Sequence, residues 1–160
     1  MKKRAALFLS VCITSFTHAH TVTVPVHCTE TNALFGTVDF KDTPYGLLIT
    51  PKLSNLPAGI HGFHLHQHAN CGDKGMGAGG HYDPKNTNSH QGPYGAGHLG
   101  DLPVLVVDAK GQANIPVLAP RLKTKNLKGL ALMVHTGGDN YTDTPPLGGG
   151  GARIACGAIS

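Results

Sequence analysis

The stretch Ile60-His61-Gly62-Phe63-His64-Leu65-His66-Gln67 reads as a β-strand with apolar and imidazole side chains in alternation. Successive side chains of an extended chain point to opposite faces, so His64 and His66 look one way while Phe63 and Leu65 look the other. With the apolar pair turned into a barrel, both imidazoles stand on its outer wall. By itself an HxH pair is as well explained by two solvated surface histidines. What raises a metal reading here is the histidine-rich stretch that follows directly.

Working outward, short runs with β-branched or alternating apolar residues recur between turn signals at 22–28, 34–40 and 46–53 before this strand. After it they recur at 102–108, at 113–118 across an Ala109-Lys110-Gly111 turn, at 130–136 and at 152–159. Strong helix signals are absent, and 22 glycines and 11 prolines with only 14% charged residues favour turn-rich β structure. Eight strands in a chain of one domain's length suit an all-β sandwich or a small Greek-key barrel.

Two segments refuse a strand reading, 69–100 and 137–151, both rich in Gly, Asn, Asp and Pro. Structureless loops of this length inside a compact domain are functional or disordered. Histidine content favours function: the first loop holds His81, His90 and His98, and the second begins just after His135. His81, His90, His98 and Asp101 are spaced by 9, 8 and 3 residues, and three imidazoles with one carboxylate form the closed shell that zinc accepts. Spacing alone does not establish it, since Asp101 also suits a turn before the next strand. His135 ends the apolar run Ala131-Leu132-Met133-Val134 and, taken alone, reads as a core histidine bonded to backbone. If it shares the outer wall with His64 and His66, the imidazole set suits copper.

The first 19 residues read as a secretory signal: Lys2, Lys3 and Arg4, an apolar stretch to about Phe16, then Thr17-His18-Ala19 as cleavage site. The apolar run is too short and too interrupted for a spanning helix of about 20 residues. A lipoprotein anchored at Cys12 is disfavoured by the bulky Val11 before it. Removing the leader leaves a domain of residues 20–160 with ten basic against nine acidic side chains. Without a basic run, neither nucleic acid nor a membrane surface is an expected partner. Export implies an oxidising compartment, in which two of Cys28, Cys71 and Cys156 are expected to pair and one to be left over.

The stretches GFHLHQ (62–67), GGHYDP (79–84), SHQGP (89–93), GHLGDL (97–102), VHTGGDN (134–140) and ARIACG (152–157) resemble, in order and separation, the copper,zinc superoxide dismutases. The wording of GPYGAGHLGDLP (92–103) and PLGGGGARIACG (146–157) is closest to the bacterial periplasmic branch. The resemblance implies an eight-stranded antiparallel Greek-key β-barrel, sandwich-like, with two long functional loops. It implies copper held by His64, His66, His81 and His135, and zinc held by His81, His90, His98 and Asp101, with His81 bridging. It further implies Asp139 as an acceptor linking a copper-side to a zinc-side histidine, Arg153 beside the open copper position, a Cys71–Cys156 disulfide, and superoxide as substrate. Location would be periplasmic.

Cys28 has no counterpart in that pattern; His61 and His68 read as structural or solvent-facing, and His18, His20 and His27 cluster near the mature start. Two other readings remain at this point. One is an exported, non-catalytic copper- and zinc-binding protein on the same fold. The other is a copper oxygenase using an N-terminal His20, which leaves the histidine loop unexplained. Composition does not decide between a monomer and a homodimer.

Overall fold

The computed structural model describes residues 21–160, so the expected signal peptide of residues 1–19 lies outside the described residues. Among the described residues nine strands form: β1 (Thr21–Cys28), β2 (Leu34–Thr43), β3 (Gly46–Leu53), β4 (Gly59–His61), β5 (Phe63–His66), β6 (Leu105–Val107), β7 (Val117–Ala119), β8 (Ala131–His135) and β9 (Arg153–Ala158). Among the described residues the only helices are three short 3-10 turns. None is long and apolar enough to cross a membrane.

Seven strands pair in the order β5-β8-β9-β1-β2-β3-β7, and β4 pairs with β6. Every ladder is antiparallel. The count rises from eight to nine because the strand expected at 60–67 divides at Gly62. Gly62 donates its N–H to Gly137 O while its carbonyl accepts from His135, and the chain on either side then pairs with different partners. Before Gly62, β4 lies on β6; after it, β5 lies on β8. A turn at 108–112 carries β6 back toward β3, where Ala113 and Leu53 exchange both backbone hydrogen bonds. The curled sheet thereby meets itself, and the β3–β4 and β7–β8 connections cross to its far end in Greek-key fashion.

Alternation decides which side chains fill the barrel. Phe63 and Leu65 of β5 are fully buried in one core with Leu132 and Val134 of β8, Val24 and Val26 of β1, and Phe40 and Ile49 of β2 and β3. On the reverse face of β8, Ala131 and Met133 join Ala78, Cys156 and Cys71 in a second, smaller cluster beneath the first long loop. That loop is fastened there by a disulfide between Cys71 and Cys156. Among the described residues Cys28 is the free, half-buried thiol.

Candidate metal centre

His64 and His66 project from β5 away from the core, opposite Met133 and Ala131 of β8. His135, at the end of β8, completes the face, so the condition under which it reads as a ligand is met. The outer wall is not solvated: the two long loops cover it, and His64 and His66 are fully buried. The first loop delivers His81, whose backbone bridges to His66. One ligand atom each of His64, His66, His81 and His135 lies within 4.8 Å of the others, and the same holds for His81, His90, His98 and Asp101. His81 is common to both groups.

Among the described residues, four buried ring nitrogens have no hydrogen-bond partner: Nδ1 of His64, Nε2 of His81, and Nδ1 of His90 and of His98. Buried polar atoms are rarely left unpaired, so four in one place call for an occupant. Asp101 Oδ1 lies 3.0 Å from His81 Nδ1, 3.0 Å from His90 Nδ1 and 3.4 Å from His98 Nδ1. Donors arranged tetrahedrally about a zinc ion at ~2.0 Å stand about 3.3 Å apart, so this group fits zinc. In the other group His66 Nε2 and His135 Nε2 face each other at 3.4 Å. The remaining nitrogens of those rings are taken by backbone: His66 Nδ1 donates to Gly79 O and His135 Nδ1 to Gly151 O. Those bonds set the tautomer and leave both Nε2 lone pairs pointing inward, as a copper or zinc ligand requires.

Protonation follows from burial. Desolvation pushes His64 down to about 3, against the pull of Asp139, and His135 down to about 4. His66 falls to about 2 for the same reason, and His81 is lowered by burial as well. These imidazoles are therefore neutral near neutral pH, the form in which a ring nitrogen can bind a metal. His90 goes the other way: burial lowers it, but Asp101 and Asp139 together hold it up at about 9. Burial raises both carboxylates, yet their histidine partners hold them far below the usual range. Two buried carboxylates thus stay ionised and favour a cation between them.

Asp139 ties the two groups together. Its Oδ2 accepts from His64 Nε2 at 2.7 Å, and its Oδ1 accepts from His90 Nε2 at 2.8 Å and from the Tyr141 backbone N–H at 2.8 Å. Gly148, with φ +72°, packs against this carboxylate: a Cβ there would collide with Asp139 Oδ1 and stand 2.9 Å from His90 Nε2.

Beside His66, His81 and His135 opens a cavity of about 270 Å³ whose wall includes Met76, Leu147 and Arg153. Arg153 donates from Nη1 to Gly75 O at 2.6 Å and from Nη2 to Gly79 O at 2.7 Å. The disulfide fixes both contacts, because it joins the loop carrying those carbonyls to the strand carrying Arg153. A larger cavity of about 410 Å³, beside Cys28 and the disulfide, contains none of these ligands.

With the geometry in place, comparison with known proteins is decisive: residues 34–159 match the family described as Copper/zinc superoxide dismutase (SODC). The chain belongs to the copper/zinc superoxide dismutase family. A superoxide dismutase [Cu-Zn] of Legionella pneumophila is 57% identical over 159 residues, covering 99% of this chain and 98% of that one. A superoxide dismutase [Cu-Zn] of Photobacterium leiognathi is 45% identical over 172 residues, covering 99% of each. The Cu/Zn superoxide dismutase structure from Brucella abortus superposes with a TM-score of 0.83 at 44% identity, covering 88% of this chain and all of that one.

The structure brings the seven expected ligands into two groups that could each hold a metal, and Asp139 bonds to one histidine of each group. His61 is structural: its ring nitrogens lie 2.8 Å from the carbonyl oxygens of His135 and Pro57, tying the end of β8 to the chain before β4. His68 is exposed. Two supporting side chains had no sequence signal. The Tyr141 hydroxyl oxygen accepts from the Val104 N–H, and Arg121 donates to four loop carbonyls. Pro120-Arg121-Leu122 looks like an ordinary surface cation, and its partners lie 23 to 29 residues away.

Proposed function

We propose that the chain is an exported bacterial superoxide dismutase, with residues 1–19 as a cleaved leader and residues 20–160 as the mature periplasmic domain. The Cys71–Cys156 bond supports export, since disulfides persist in oxidising compartments. The observation that carries the catalytic reading is the pair of complete, abutting ligand groups that share His81. His64, His66, His81 and His135 would hold copper, and His81, His90, His98 and Asp101 would hold zinc. Copper at such a site supplies one-electron chemistry through its two oxidation states, and zinc supplies fixed positive charge and order to the loop.

The chain's own residues supply the rest. Two superoxide anions and two protons give one oxygen and one hydrogen peroxide, so the protein must gather a small anion and deliver protons. Arg153 does the first. Two of its five N–H donors are spent on Gly75 and Gly79, which aims the guanidinium and leaves the others for the anion. His81 does the second: its Nδ1 lies 3.0 Å from Asp101 in the zinc-side group, while its Nε2 has no protein partner. That nitrogen can hold one of the two protons between the half-reactions and give it to the reduced substrate, the other coming from water.

The test is superoxide decay catalysed by the mature chain carrying one copper and one zinc, beside a zinc-only preparation. Fast decay that requires copper is expected. Metal binding with an intact disulfide but no turnover would instead support a metal-binding protein on the same fold.

A further inference from the structure

Arg121 follows β7 next to Leu122, which is buried in the barrel core and so anchors the backbone from which the guanidinium projects. Nε donates to Pro93 O at 3.0 Å and Nη1 to Gly97 O at 3.0 Å, while Nη2 donates to His98 O at 2.6 Å and to Gly92 O at 3.1 Å. All four acceptors lie within residues 92–98, a span with no helix or strand to occupy its carbonyls. Inward-turned carbonyls without a ladder need donors from elsewhere, and one planar fork supplies them.

The same span is held from two further directions. Asp101 Oδ2 accepts from the Gln91 and Gly92 N–H groups at 3.2 Å each. Gly92, with φ +67°, backs onto Tyr141, whose ring a Cβ at that position would approach to 2.6 Å. The fixed loop ends on His98, whose N–H is bonded to Ser89 O and whose carbonyl is taken by Arg121.

We propose that Arg121 is a positioning residue that presets the zinc half of the site by clamping the loop from Gly92 to His98 against the barrel. This rests on the metal assignment above. The clamp acts on the backbone of His98 and on the loop that packs over Asp101. It does not touch His64, His66 or His135, which are carried by β5 and β8. Losing it frees the loop to open and lets the zinc-side metal escape, leaving the copper ligands in place. Lysine is no replacement, because a point charge cannot bridge four carbonyls.

The experiment loads the mature, disulfide-bonded chain with copper and with cobalt(II) in the zinc site, then compares the parent with R121K and R121Q. The visible cobalt bands and the rate of cobalt release to a chelator are read directly, without reference to turnover. Release about tenfold faster or more, with altered bands, is expected in both variants, while the metal-free chains melt close to the parent. If R121K does not fold, R121Q carries the same comparison. Parent-like bands and release rates would overturn the proposal, as would a lowered metal-free melting temperature with unchanged release. A parent chain that binds no cobalt would remove the metal assignment itself, and this inference with it.

Discussion

Replacing Asp139 by alanine removes a carboxylate that is inaccessible to solvent and accepts three hydrogen bonds, two of them from imidazoles of different ligand groups. A buried donor left unmet costs about 1 to 3 kcal/mol. Where that cost falls follows from the packing. Asp139 is no part of the barrel core, and once its carboxylate is gone the loops it tied can open to water in the metal-free variant, so His64 and His90 rehydrate at little expense to the fold. On binding, both rings must be reburied without their acceptor. We expect a loss of about 2 to 3 kcal/mol for zinc, roughly 30- to 150-fold weaker binding. Copper should suffer less, because His66 and His135 are oriented by the backbone oxygens of Gly79 and Gly151 instead. Competition with a chromophoric chelator measures the zinc constant, and circular dichroism of the metal-free chain monitors the barrel. Asparagine should behave like alanine, for its single acceptor oxygen cannot serve both rings. Zinc affinity within about threefold of the parent would refute the reasoning.

Gly148→Ala should mimic Asp139→Ala without touching the carboxylate, since a methyl group there displaces Asp139 and the backbone costs ~1 kcal/mol more at positive φ. Unchanged zinc retention would show that the contact tolerates a side chain. Arg153→Ala should keep both metals while the rate constant for superoxide decay falls about tenfold at low salt and loses most of its ionic-strength dependence; pulse radiolysis across a salt series decides it. In the metal-free chain, His64 at about 3 and His135 at about 4 lie below the unfolded value near 6.5, so the unfolded state binds more protons in between. Their contribution is whole above pH 6.5 and is lost as pH falls toward 4. His90, at about 9, contributes stability that is present below 6.5 and lost as pH rises through 9. The metal-free melting temperature should peak near pH 6.5, and one that rises on acidification to 4.5 would contradict this.

What sequence reasoning reaches here depends on how local the cause is. The strand expected at 46–53 forms over those residues, and the inward Phe63 and Leu65 follow from alternation alone. The division at Gly62 was not legible, because it depends on which neighbour each half meets. Likewise 113–118 shrinks to Val117–Ala119, with Ala113 surviving as an isolated bridge to Leu53. Ligands announce themselves through residue type and spacing. The groups that hold them in place do not: Arg121 and the Gly79 carbonyl act through backbone geometry that any sequence could carry.

The opposed faces of β5 have a consequence for how a newly made chain acquires its metals. A slip of one residue in the β5–β8 register would turn His64 and His66 into the barrel and push Phe63 and Leu65 out, destroying core and ligand set in the same move. A chain that has misassembled therefore has no site in which to trap a redox-active ion. The copper-side ligand set is thus complete only in molecules whose strands are already in frame.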